Sequence, residues 1–279
     1  MDRRSFITTG SAALAGLALT SCSSSKPPPV QSRPLGVQLY SVRSLMAESV
    51  PKTLEEVRKA GYQEVETAGF FDLSAAEFKK ILDDNGLRAT GMHVGATSQL
   101  MGPINESIEN AMTLGASYIV CPWIMAEERG SLDEYRLHAE RMNQAGRLIK
   151  QAGLQFAYHN HDFEFERFGD TVAYDLLLEE TDPDLVQMEL DLFWIVKAGY
   201  DPVEYFINHP GRFPLCHLKD RTADGDMVAV GDGAIDFETI LNSRFQAGLR
   251  HYYTEHDNPD DPVAWMRASA KHMRSLGWG

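Results

Sequence analysis

The sequence is short of positive charge: 26 Lys and Arg stand against 40 Asp and Glu, a formal charge of -14 with a pI near 5.0. Nucleic-acid backbones are gripped by Lys and Arg, so nucleic acid is excluded as the main partner and the acidity reads as solvated surface. Cysteine is also scarce. Cys121 and Cys216 sit inside separate apolar runs with no Cys-x-x-Cys pair, so both read as core thiols, and nothing in their spacing suggests a disulfide. Glycine is missing where a dinucleotide fold needs it. The first strand candidate runs through Val37-Gln38-Leu39-Tyr40-Ser41, without the Gly-rich phosphate loop that follows the first strand of a doubly wound sheet. The apolar run at residues 11–19 is too short to cross a bilayer as a helix. What is present is enough for a full-size core: 279 residues, 43% hydrophobic and 10% aromatic, suit one barrel or two small domains.

The N-terminus reads as a targeting segment, separate from the fold. Asp2-Arg3-Arg4-Ser5-Phe6-Ile7 sets paired arginines ahead of the apolar run and resembles a twin-arginine (Tat) export signal, with Asp2 where Ser or Thr is usual. Leu19-Thr20-Ser21-Cys22 resembles the lipobox of a bacterial lipoprotein. Residues 1–21 are therefore expected to be a signal peptide, Cys22 the lipidated residue, and residues 22–34 a Ser and Pro tether to a domain at 35–279. The expectation is an exported periplasmic or cell-envelope lipoprotein, held to the membrane by its N-terminal lipid. Removing residues 1–21 takes away Arg3, Arg4 and Asp2, so 24 basic residues then face 39 acidic ones. The acidity belongs to the domain.

From residue 35 the sequence repeats one unit: a short apolar strand, a polar loop, an amphipathic helix and a glycine stop. The stops are Ala60-Gly61, Asn85-Gly86, Leu114-Gly115, Ala152-Gly153 and Ala247-Gly248, each where a helix end favours a left-handed residue. Ser74-Ala75-Ala76-Glu77 reads as a capping box and Pro51 as a first-turn proline. Strands are expected at 35–40, 62–66, 88–94, 117–121, 154–160, 186–191, 213–217 and 251–255. Eight strands alternating with helices match the length and rhythm of a (β/α)8 TIM barrel, whose strand C-termini converge on one active face.

Four of those strands end in chemistry. Gln155-Phe156-Ala157-Tyr158 runs into His159-Asn160-His161-Asp162, and period-two alternation puts His159 and His161 on one face. The runs ending in Glu189-Leu190-Asp191, Cys216-His217 and Thr254-Glu255 finish in the same way. In a barrel, His159, Asp191, His217 and Glu255 come from strands five to eight, adjacent around the rim. Two imidazoles and two carboxylates suit one divalent metal ion, Mn, Co, Zn or Fe rather than Ca, acting as a Lewis acid on a substrate carbonyl or hydroxyl. Glu66 and His93 end strands two and three, and Trp123 and Trp194 lie near strand ends, so all four are candidates for holding a sugar. Arg221 is a candidate grip for an anion. His138 and His272 fall in helical runs and are expected at the surface.

Over residues 35–278 the chain resembles the xylose isomerase-like TIM barrels of the sugar phosphate isomerase and epimerase group. The matching residues are Asp191 in Glu189-Leu190-Asp191-Leu192-Phe193-Trp194, His217 in His217-Leu218-Lys219-Asp220, Glu255 in Tyr253-Thr254-Glu255-His256, and the turn Gly231-Asp232-Gly233-Ala234-Ile235-Asp236-Phe237. The resemblance implies one divalent metal held by Glu, Asp, His and Glu from the last four strands, with the two glutamates moving a proton beside a carbonyl. Here His159 stands where strand five should deliver a glutamate. That removes one of the two groups that would exchange a proton on opposite faces of a sugar carbon. Glu189, facing as Asp191 does, and Glu164 in the strand-five loop are candidates to restore it. The Tyr158-His159-Asn160-His161 run also resembles a branch with 3-keto-glycoside chemistry, in which a ketone acidifies the neighbouring proton and the leaving group departs by β-elimination. For that reaction Glu255 or His161 would be the base, and Lys219 or Glu164 the acid.

Three readings follow. The leading one is a metal-dependent sugar isomerase or epimerase-type enzyme, acting on a sugar or keto-sugar by proton abstraction next to a carbonyl. The alternative is a 3-keto-glycoside lyase or hydratase. A further alternative is a non-catalytic carbohydrate-binding lipoprotein. A DNA-repair endonuclease on the same barrel is set aside by the charge and the export signal.

Overall fold

The computed structural model describes residues 33–279; the expected signal peptide, Cys22 and the tether up to residue 32 lie outside the described residues. Eight parallel strands close into a barrel: β1 Gly36–Gln38, β2 Glu64–Thr67, β3 Arg88–His93, β4 Tyr118–Cys121, β5 Gln155–His159, β6 Val186–Asp191, β7 Leu215–Leu218 and β8 His251–Thr254. Each strand pairs with its neighbour in sequence, and β8 closes on β1 with Gly36 opposite Tyr253. All eight expected strands are present, several shorter at their ends than the apolar runs suggest.

The helices form where local chemistry starts and stops them. In the helix Val50–Ala60, Pro51 sits in the first turn and Gly61 ends it at φ 105°, its N–H reaching the carbonyls of Val57 and Arg58; only glycine takes that backbone without strain. Val50, Leu54 and Val57 form its buried stripe. Before the helix Ala75–Asp84, the Ser74 N–H donates to Glu77 Oε2 at 2.9 Å and the Ser74 hydroxyl accepts from the Glu77 N–H at 3.2 Å, the expected capping box. Cys121 and Cys216 are buried free thiols in the core. Among the described residues, no helix is long and apolar enough to cross a membrane.

Alternation along the strands sorts the side chains into two cores. Phe156, Tyr158, Met188 and Leu190 face outward into the layer beneath the helices, all fully buried. Tyr118, Val120, Ala157, Leu215 and Tyr253 face inward as a separate apolar plug. The Tyr253 ring fills the lumen beside β1, where a Cβ on Gly36 would lie 2.5 Å from its Cδ1, and its hydroxyl bonds Thr90 Oγ1 at 2.7 Å. The plug closes the lower lumen, so the polar residues above it can open only to the C-terminal face. His138 departs from expectation. It is buried, held by Thr97 Oγ1 at 2.8 Å and the Glu128 carbonyl at 2.6 Å, because its face of the helix Leu132–Gln151 is covered by the loops after β3 and β4.

Candidate metal centre and active site

The inward-facing positions just above the plug are ionic. His159 is paired in register with Glu189 across β5 and β6, and Asp191 with His217 across β6 and β7. Glu255 follows β8 directly. One ligand atom from each of His159, Asp191, His217 and Glu255 lies within 4.8 Å of the others, and all four residues are buried. His217 Nδ1 is 2.8 Å from Glu255 Oε2, and His159 Nε2 is 3.3 Å from Asp191 Oδ2. The Asp191 backbone N–H donates to Asn160 Oδ1, which fixes the strand end; its carboxylate Oδ1 accepts from the Trp194 N–H and its Oδ2 lies 2.9 Å from Lys219 Nζ, so the carboxylate is oriented from both sides.

A second group lies beneath, sharing His217: Glu66, His93 and Glu189. His217 Nε2 is 2.8 Å from Glu66 Oε2 and 3.2 Å from Glu189 Oε2, while His93 Nε2 is 3.0 and 2.9 Å from the same two oxygens. Gln38 Nε2 also donates to Glu66 Oε2 at 2.7 Å. Imidazole with one nitrogen facing a ligand position and the other backed by carboxylate is the usual way a metal-ligating histidine is oriented. Glu66, expected to touch a sugar, is instead fully buried in this backing layer. His93 reaches the cavity wall as well.

Charge explains the protonation of the group. Burial disfavours charge on His217, but Glu189 and Glu255 overcome it and hold its pKa well above the ordinary value. His93 is likewise raised to about 9 against burial, by Glu66 and Glu189. Lys219, 1% exposed, lies 2.9 Å from Asp191, 2.7 Å from Glu255 and 2.9 Å from Asp257. Those carboxylates keep it a firm cation despite burial, and Asp191 and Glu255 are correspondingly held low. A divalent ion fits the upper set. It presents two carboxylate oxygens and two imidazole nitrogens, and His159 Nδ1 is buried without a partner among the described residues. Binding there would displace the His217 proton, so affinity should weaken as pH falls.

A cavity of about 940 Å³ opens above this group, lined by His93, His159, Lys219 and Glu255 at its base and by Trp123, Phe163 and Trp194 at its walls. His161 also lines it. Its ring packs edge-on to Trp123 at 4.7 Å, stacks on Phe163 at 5.4 Å and meets His159 edge-on at 4.9 Å. Burial first, then the charges of His159 and Lys219, push its pKa well below the ordinary value, and its Nδ1 is without a partner among the described residues.

Two expected residues lie elsewhere. Glu164 turns away from the cavity because the short turn Phe163–Phe165 reverses the chain. Its carboxyl is fully buried, bonded to the Tyr158 hydroxyl and to the His161 N–H at 2.8 Å, and burial lifts its pKa to about 8. Arg221 belongs to a hairpin with Met227–Val228 and does not line the cavity. Beside it the Gly-Asp-Gly turn wraps the Asp220 carboxylate, which accepts from the N–H groups of Gly231, Gly233 and Ile235. That motif is structural here. Arg43, Arg129, Phe163 and Asp257 line the cavity without any signal at a strand end.

Residues 54–276 match the family described as xylose isomerase-like TIM barrel. The chain belongs to that family. Among relatives of this xylose isomerase-like barrel, an inosose dehydratase of Geobacillus kaustophilus is 23% identical over 259 residues, 79% of this chain and 83% of that enzyme. An inosose dehydratase of Clostridium beijerinckii is 30% identical over 127 residues, 39% of this chain and 42% of that enzyme, less than half its length. A solved sugar phosphate isomerase/epimerase from Parabacteroides distasonis superposes with a TM-score of 0.76 at 28% identity, over 89% of this chain and 96% of that one.

Proposed function

We propose that the protein is a divalent-metal-dependent lyase of the dehydratase type. It acts on a keto-sugar or keto-glycoside, removing the proton beside the ketone and expelling the oxygen substituent on the next carbon. The observation that carries this reading is His161 at the cavity wall: the other imidazoles and carboxylates lining the cavity are ligand candidates or ion-paired, His93 with Glu66 and Glu189, Asp162 with Lys197 and Asp257 with Lys219. Burial disfavours the charged form of His161, its Nδ1 has no partner among the described residues, and the ring lines the cavity. Glu164 faces away, and His159 holds the strand-five position. Epimerisation needs groups on both faces of a carbon; elimination needs one.

His159, Asp191, His217 and Glu255 would hold the ion, which when bound polarises the ketone oxygen as a Lewis acid. His161 takes the proton. The electron pair of the broken C–H bond forms the C=C bond, the C–O bond to the leaving group breaks, and the imidazolium returns its proton to the departing oxygen. The products are an enone and an alcohol, or water. Lys219, too firmly held as a cation to serve as an acid, stabilises negative charge developing on the carbonyl oxygen. Trp123 and Trp194 give the sugar apolar faces to stack on and keep bulk water off. The dehydratase names of the two relatives support this reading.

A second reading, isomerisation by a proton shift between adjacent carbons, also needs one carrier and draws on the Parabacteroides likeness. NMR in heavy water with an inosose, a 3-keto-glucoside and a free ketose separates the two. An enone and a released alcohol or water, both lost in His161→Ala, support the lyase; an isomerised sugar carrying deuterium supports the isomerase. Neither product, with metal and sugar both bound, leaves a carbohydrate-binding protein. The proposal extends to the cell envelope. The paired arginines and the Cys22 context support an exported lipoprotein, tested by radiolabelled palmitate incorporation that Cys22→Ser should abolish.

A further inference from the structure

The cavity carries four basic and three acidic side chains in a chain whose overall balance is 26 basic to 40 acidic residues. Three of the four cations are engaged. Lys219 is held by Asp191 and Glu255, Lys197 by Asp162 at 2.8 Å, and Arg43 donates to the carbonyls of Tyr40 and Asp257 at 2.8 and 2.6 Å. Arg129 is different. Its Nη1 is buried without a hydrogen-bond partner, and no ion pair engages its guanidinium among the described residues. Glu164, behind the same aromatics, already has both oxygens occupied by Tyr158 and the His161 N–H. The guanidinium carbon sits 3.4 Å from the centre of the Phe163 ring and 5.2 Å from that of Trp123, so the aromatic wall holds the group while its buried Nη1 lacks an acceptor among the described residues.

We infer that Arg129 is an oxyanion subsite, and that the substrate is an acidic glycoside whose carboxylate is carried on the leaving group. This rests on the sugar-cavity reading above. Placement decides which part of the substrate carries the charge. Arg129 stacks on Phe163, Phe163 on His161, and His161 meets His159 edge-on, so two aromatic side chains separate it from the metal-ligand candidates. With those two side chains between them, the ligand set and Arg129 face different parts of one substrate, and a cavity of about 940 Å³ is at the upper end of what one drug-sized ligand fills. A planar fork beside an aromatic wall matches a carboxylate in two parallel hydrogen bonds. Phosphate sites gather several cations or a helix N-terminus, and the neighbouring cations here are already engaged.

Calorimetric titration of the metal-loaded protein tests this with phenyl β-glucoside, its 4-carboxyphenyl and 4-phosphophenyl analogues, and methyl β-glucuronide. None of these has a ketone, so none can be eliminated, and binding is read even if the lyase reading fails. The 4-carboxyphenyl glucoside should bind at least tenfold tighter than the phenyl glucoside. Arg129→Met, which keeps a side chain over Phe163, should erase the advantage while leaving metal content unchanged, and Arg129→Lys should keep part of it. A larger advantage for the phosphate analogue, lost in the same variant, supports the oxyanion site and makes phosphate its source. Equal affinities in the parent protein, an advantage that survives Arg129→Met, or a gain seen only with the glucuronide would each overturn the inference.

Discussion

The two ends of the barrel lumen use the same residue types and close their charge differently. At the N-terminal end, Glu64 meets Arg88 at 2.9 Å and His251 at 2.8 Å, and 67% of the Arg88 side chain reaches solvent. One carboxylate has two partners there. At the C-terminal end, four buried carboxylates, Glu66, Glu189, Asp191 and Glu255, share one ammonium and three imidazoles. Glu66 Oε1, Glu189 Oε1 and His159 Nδ1 have no partner among the described residues. The Tyr253 layer separates the two ends. The lower carboxylate has a partner on each oxygen, whereas the upper group leaves two carboxylate oxygens and one imidazole nitrogen unpartnered among the described residues, and that difference beside a cavity separates a candidate site from a structural ion pair.

Breaking the upper group should have the largest effect. His217→Ala removes the residue that both halves of the group share, so the bound ion, measured by mass spectrometry at about one per chain in the parent, should be lost. Turnover should fall by roughly 1,000-fold or more, the scale of losing a preorganised electrostatic group. Leaving Glu66 and Glu189 with His93 as their one remaining imidazole should cost on the order of 3–5 kcal/mol in the apo-protein, read as a lowered urea midpoint.

Glu164 sharpens the comparison as a buried carboxyl with no ion pair among the described residues. Its folded pKa of about 8 lies above the unfolded value, so between about pH 4.5 and 8 the unfolded chain gives up a proton that the native state keeps. Stability should therefore fall as pH rises through that window, by up to about 1.4 kcal/mol per unit from this group. Urea midpoints at pH 5.5 and 7.5 should show a slope in the parent that is smaller in Glu164→Gln. Equal slopes would mean that the carboxyl is ionised in the fold.

Glu66→Gln tests the backing layer with a smaller effect. The amide keeps the shape but loses the charge behind His217 Nε2, and metal affinity should drop about 10- to 100-fold in a competitive chelator titration. An unchanged affinity would make the lower carboxylates a separate network.

The barrel was legible because its signals are local: strand period, glycine stops and caps each lie within a few residues of chain. The ligand-candidate set was legible for the same reason, since His159, Asp191, His217 and Glu255 all sit at strand ends that a barrel must bring together. What sequence could not reveal depends on chain reversals and on packing between distant segments. Glu164 is turned outward by a single short turn. Glu66 sinks below the cavity because His217 and Gln38 hold it there. His138 is buried by two loops that periodicity does not describe, and Arg129 acquires its setting only when Phe163 arrives beneath it. The Gly231-Asp232-Gly233 turn was visible, but its purpose was not, because the carboxylate it encloses is Asp220, on an element further back in the chain.

The smallest expected effect is at the lower end. Glu64→Gln removes the charge facing Arg88 and His251 but leaves an oxygen that can still accept a hydrogen bond. Because most of the Arg88 side chain is in water, its attraction to Glu64 is screened and its guanidinium is resolvated when the pair breaks. The loss should be no more than about 1 kcal/mol, read as a small shift in the urea midpoint that shrinks further in high salt. Metal content and turnover should match the parent, since the Tyr253 layer separates Glu64 from the ligand set. A variant that lost metal would show that charge at the bottom of the lumen is felt through the plug at the top, and the two ends would then form one electrostatic system.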